Sequence, residues 1–195
     1  MISSLVIASS LYHEEVASSQ EPVARMIRCC ITDRTLDFTG QVDWVQVRDK
    51  ELPARELIAV VRLAMERVAT VLVNSRVDVA MAAGAAGVHL PSGSIEASQW
   101  RRITPAGFLI GVSCHSLEDV VLAEREGADY VVFGPVFDPL SKAPDLQARG
   151  LEELGRVSRA VRIPVLALGG ITRENAADCV AAGAAGVAGI TMFRS

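Results

Sequence analysis

The chain has 195 residues, with 19 Lys and Arg against 23 Asp and Glu, a formal charge of -4, and 50% hydrophobic residues. One domain of this length buries a core without disulfide or metal support. The charge balance lacks the basic excess of a nucleic-acid-binding face, and no segment approaches the roughly 20 apolar residues that span a bilayer, so neither nucleic acid nor membrane is expected as a partner. Cys29, Cys30, Cys114 and Cys179 form no C-x-x-C pair and have no His at zinc-finger spacing, which reads as free thiols in a reducing cytoplasm. Residues 1–12 lack the basic start and long apolar run of a secretory signal, so a cytoplasmic location is expected.

In chain order, residues 1–24 read as an N-terminal extension or a displaced first βα element, with a candidate strand at 5–9. Residues 25–195 read as the main domain. Apolar runs predict strands near 26–32, 42–48, 69–74, 86–90, 108–113, 129–134, 163–168 and 186–190. Helical spacing lies between them at 53–68, 76–83, 95–103, 116–126, 150–161 and 172–182. Residues 33–42 are too few for a full helical crossover, which needs about 10 to 12 residues, so the first βα unit is shortened. Only residues 192–195 follow the last strand, which truncates the final helix. Gly84-Ala85-Ala86-Gly87-Val88, Gly127-Ala128-Asp129-Tyr130-Val131 and Gly183-Ala184-Ala185-Gly186-Val187 repeat one phrase. It suits a left-handed helix end turning into a strand. The whole reads as α/β, a small (β/α)8 TIM barrel, with an open doubly wound sheet as the alternative.

Active sites of such barrels gather at the C-terminal strand ends. Gln46, Arg48 and Lys50 alternate there and form a candidate anion grip. Asn74 ends the next strand, and Ser75 suits a helix N-cap. His89 ends the fourth. Ser113 and His115 alternate along the fifth, with His115 the better proton-transfer candidate because an unperturbed imidazole titrates near neutrality. Residues 134–142 form a long excursion carrying Ser141 and Lys142, a candidate lid. Gly169 and Gly170 close the seventh strand, and Gly189 and Ile190 lie at the eighth, where backbone N–H groups of such barrels cradle phosphate.

Gln46-Val47-Arg48-Asp49-Lys50, Val73-Asn74-Ser75-Arg76, Gly87-Val88-His89-Leu90, Gly111-Val112-Ser113-Cys114-His115-Ser116, Gly134-Pro135-Val136-Phe137 and Leu168-Gly169-Gly170-Ile171 occur in that order. Together they resemble the thiamine phosphate synthase/TenI superfamily over about residues 26–194. The resemblance implies a (β/α)8 barrel and a small phosphorylated thiamine-pathway ligand. It implies Gln46, Arg48, Lys50 and Asn74 around a pyrimidine diphosphate, with Ser113 and Lys142 nearby, and Gly169, Gly170, Gly189 and Ile190 around a thiazole phosphate.

Where the synthases of this superfamily hold magnesium with two aspartates, this chain has Ser75 and Ser94, and neutral hydroxyls are weak magnesium ligands. Several motifs look closer to the TenI branch, whose tautomerases move a proton without metal, although Pro135 stands where their catalytic His is found. The expectation is therefore a TenI-like thiazole tautomerase using His115 and Lys142, with His89 and Ser141 among the substrate-binding groups and with no metal or other cofactor. The alternatives are a thiamine phosphate synthase, for which magnesium would be the cofactor, and a non-catalytic binder. A homodimer is left open.

Overall fold

The computed structural model describes residues 26–138 and 147–194. Eight strands are β1 Ile27–Thr32, β2 Trp44–Val47, β3 Thr70–Asn74, β4 Gly87–Leu90, β5 Leu109–Cys114, β6 Tyr130–Phe133, β7 Val165–Ala167 and β8 Gly186–Gly189. All neighbours pair in parallel, and β1 also pairs with β8, with Ile27 opposite Gly186. The sheet is a closed barrel in chain order. Helices α1 Ala54–Met65, α2 Val77–Ala83, α3 Ala97–Arg101, α4 Leu117–Arg125, α5 Gly150–Ala160 and α6 Ala176–Ala181 cover its outside. Closure decides against the open sheet.

Alternation along each strand sorts the apolar residues into two cores. Val45, Val47, Val71, Val73 and Val88 face outward against Leu57, Val61 and other helix side chains. Cys29, Ile31, Leu72, Tyr130, Val132 and Leu166 fill the barrel, with Trp44 and Leu109 packed against them. Trp44 meets the Tyr130 ring edge-on at a centroid distance of 5.0 Å. All four cysteines are buried thiols, and burial raises Cys29 above the usual thiol range and Cys30 and Cys114 to about 12.

The shortened first unit is real. Between β1 and β2 the described chain contains no helix. Asp33 Oδ1 accepts from the Thr35 N–H at 2.9 Å and its hydroxyl at 2.6 Å, which turns the chain. Leu36 and Phe38 then bury their side chains in the outer core in place of a helix face. Arg67, just after α1, ties this loop down by donating to the carbonyls of Leu36 at 2.7 Å and Phe38 at 3.1 Å. Its guanidinium carbon lies 3.9 Å above the centre of the Phe38 ring. After β8 the described chain forms a 3-10 turn, Thr191–Phe193.

Two sequence expectations shift. Ser75 is no N-cap: α2 begins at Val77 with Arg76 at the cap. The sixth helix starts at Ala176 rather than 172, because Asn175 Oδ1 accepts from the Thr172 N–H at 2.8 Å and holds residues 172–175 in a turn. The repeated phrase acts as expected at Gly84, where φ of 77° makes the left-handed end of α2. The candidate strand at 5–9 lies outside the described residues.

Because two charge-assisted bonds and a cation–π contact hold a loop that replaces a whole helix, Arg67→Ala is expected to lower unfolding free energy by about 2 kcal/mol in urea titration. An unchanged midpoint would mean that Leu36 and Phe38 hold the seam by burial alone.

Candidate active site

At the C-terminal mouth, the inward positions of adjacent strands bring Gln46, Asn74, His89 and Ser113 round one arc, the register setting Asn74 beside His89. Gln46 Nε2 donates to Asn74 Oδ1 at 3.0 Å, and Asn74 Nδ2 donates to Ser75 Oγ at 2.8 Å. This relay fixes both amides. Gln46 is only 2% exposed, and its Oε1 is buried without a hydrogen-bond partner among the described residues.

His89 sits deeper than a substrate contact would require. It is 3% exposed, with Nε2 2.8 Å from Ser113 Oγ and Nδ1 3.1 Å from the Tyr130 hydroxyl. Burial, reinforced by the Arg48 charge, pushes its pKa down to about 4, so the ring is neutral at pH 7. Both nitrogens are engaged, and the expectation of a substrate-binding His89 becomes one of a residue that orients Ser113. Gly111 makes this possible, because a Cβ there would fall on the Tyr130 ring. Tyr130 was missed by sequence reading as a site residue; its inward phase on β6 was the available signal.

Arg48, Lys50, Asn74, Ser75, Arg76 and Ser113 line one cavity of about 420 Å³, with Asp49, Leu52 and Pro91. The Gln46, Arg48, Lys50 alternation thus delivers its two cations to a common space, joined by Arg76, which the sequence reading gave no role. Asp49 does not neutralise them. Its side chain accepts from Arg34 Nη2 at 2.8 Å and from the N–H groups of Glu51 and Leu52 at 3.0 and 3.1 Å, and the Arg34 bond holds its pKa near 2.

His115 follows β5 and stands apart from that cavity. Its Nδ1 lies 2.6 Å from the Gly134 carbonyl oxygen, and its N–H donates to Asp119 Oδ2 at 2.9 Å. A carbonyl only accepts, so Nδ1 carries a proton, and Nε2 makes no hydrogen bond among the described residues. Ser141 and Lys142 lie outside the described residues.

On the opposite side of the mouth, continuing the β7–β8 register from Ala167 opposite Val187 sets Gly169 beside Gly189. Among the described residues, the N–H groups of Gly170, Ile171 and Ile190 donate to no protein acceptor. Gly170 has φ of 62°, and a Cβ there would lie 2.6 Å from the Asp138 carbonyl oxygen. The glycine is thus required first by the chain after β6, whatever ligand its N–H meets.

The family model described as thiamine monophosphate synthase matches residues 28–193. The chain belongs to this family. It is 45% identical over 161 residues to a putative thiamine-phosphate synthase of Geobacter sulfurreducens, covering 80% of this chain and 75% of that protein. It is 46% identical over 160 residues to the thiamine-phosphate synthase of Methanoculleus marisnigri, covering 80% and 76%. A thiamine phosphate pyrophosphorylase from Pyrococcus furiosus superposes with a TM-score of 0.74 at 33% identity, covering 85% of this chain and 86% of that one. The thiamine phosphate synthase family is thus established, and these names favour the synthase alternative over the tautomerase.

Magnesium, implied by the synthase resemblance, does not fit the side chains present. Ser75 lines the Arg48 cavity, whereas Ser94 lines an adjoining one between α3 and α4 that shares Pro91 and Ser113 with it. The carboxylate in the Arg48 cavity is bound to Arg34, and no group of three His, Cys, Asp or Glu that could hold a metal occurs among the described residues. A hard divalent cation would meet three like charges and neutral hydroxyls there.

A neutral buried His89 makes stability depend on pH. Its folded pKa of about 4 lies below the ordinary 6.5, so its contribution is complete above pH 6.5 and is lost as pH falls toward 4. Urea titrations across that window are expected to show wild type losing up to about 3 kcal/mol more than His89→Asn. Parallel curves would place the ring in contact with solvent.

Proposed function

We propose that the protein couples a hydroxymethylpyrimidine diphosphate to a thiazole phosphate, forming thiamine phosphate and releasing pyrophosphate. The observation that carries this reading is the cavity where Arg48, Lys50 and Arg76 meet Asn74, Ser75 and Ser113. Such a set suits a polyanionic diphosphate better than an uncharged ring. The names of the relatives support the same reading.

In this reading Arg48 and Lys50 bind the diphosphate, and the Gln46–Asn74 relay and the His89-held Ser113 orient the pyrimidine. The bond between the pyrimidine methylene carbon and the diphosphate oxygen breaks with its electron pair leaving on oxygen. The thiazole nitrogen lone pair forms the new carbon–nitrogen bond, and the exchange needs no net proton transfer. The cations stabilise the charge that develops on the leaving group. The unpartnered N–H groups of Gly170, Ile171 and Ile190 receive the thiazole phosphate.

The test is thiamine phosphate formation by the purified protein from the two substrates. Product is expected, and Lys50→Met is expected to raise KM for the diphosphate by about tenfold or more. Folded protein that forms no product under any metal condition sinks the synthase reading.

The second reading, a TenI-like tautomerase, is favoured by one observation, the Gly134 carbonyl on His115 Nδ1, which leaves Nε2 as the nitrogen for proton transfer. It predicts that His115→Asn lowers tautomerase turnover by about 10²-fold. Equal turnover in wild type and variant removes His115 from that role.

A further inference from the structure

The Arg48 cavity concentrates cationic side chains and offers no unpaired carboxylate among the described residues. Its lining carries Arg48, Lys50 and Arg76. Its one carboxylate, Asp49, has an oxygen on Arg34 and two backbone N–H donors, and its side chain is 4% exposed. Ser75 has a φ of 63°, a conformation that Asp and Asn adopt more readily than Ser. Its hydroxyl oxygen accepts from Asn74 Nδ2, which leaves the hydroxyl proton to donate outward. A donor suits a phosphate oxygen, and a neutral hydroxyl is a weak ligand for a hard divalent ion.

Among the described residues, Arg76 is the one of the three cations held in an ion pair, and that pair is exposed. It pairs with Asp78 at 2.9 and 2.6 Å, but the Asp78 side chain is 66% exposed, and an ion pair so open to water holds its partners weakly. The guanidinium is therefore available to a ligand of higher charge.

We propose that this cavity binds the diphosphate free of divalent metal, with Arg48, Lys50 and Arg76 neutralising it and the Ser75 hydroxyl donating to it. The inference rests on the synthase reading for the identity of the ligand and adds that metal is dispensable. Arg76 thereby becomes a binding residue.

Calorimetric titration of the full chain with inorganic pyrophosphate, once in chelator and once in excess magnesium, tests it. Binding in chelator as tight as or tighter than in magnesium is expected, because the free ion competes for pyrophosphate in solution. Arg76→Met, with an unchanged unfolding midpoint, is expected to weaken binding in chelator by about tenfold. Tighter binding in magnesium overturns the proposal, as does an Arg76→Met affinity equal to wild type. Thiamine phosphate assays run in the same two buffers separate the two readings. Product only with magnesium overturns metal-free action and leaves the synthase reading standing, whereas no pyrophosphate binding in either buffer together with no product overturns both.

Discussion

A closed ring of eight short strands encloses a fixed volume, and every inward side chain takes a share of it. Here the lower and middle layers go to Trp44, Leu72, Tyr130 and Leu166. Tyr130 takes the space that Gly111 leaves empty, and its hydroxyl holds the inner edge of the His89 ring. The top of the barrel inherits that arrangement. Ser113 is held where it is because His89 is, and His89 because a large residue on β6 faces a glycine on β5.

The same constraint divides the mouth into two chemically different halves. The side formed by β2 to β5 presents amides, a hydroxyl and cations on side chains. The side formed by β7 and β8 presents backbone, because Gly169, Gly170 and Gly189 carry no side chain to place there. A ligand with two anionic ends joined through rings meets charged side chains at one end and backbone N–H groups at the other.

Much of this was legible in the residues. Period-two alternation set Gln46, Arg48 and Lys50 on one side and paired Ser113 with His115, the strand ends located Asn74 and His89, and the short interval before β2 announced the missing helix. Pairing was not legible. Nothing in the sequence says that Arg34 holds Asp49 and so leaves the Arg48 cavity without a free carboxylate, since the two residues lie on different strand ends. For the same reason Arg76 looked like the start of a helix, and Ser75 and Ser94 looked like members of one site, although Pro91 and Ser113 stand between the cavities they line. His89 stood at a strand end, and only burial shows that it works behind the surface. The ranking of tautomerase over synthase followed from single departures, Ser75 and Ser94 where two aspartates are expected, whereas similarity spread over residues 28–193 points to the synthases.

The loop that replaces the first crossover helix also bears on how the ring assembles. With residues 33–43 joining β1 to β2, the pairing of Cys29 with Trp44 is local in the chain, while the pairing of Ile27 with Gly186 spans nearly the whole domain. Loop-closure entropy is set by such separations. The β1–β2 pair can therefore form early as a unit, and the transition from open sheet to barrel reduces to a single late encounter between β1 and β8.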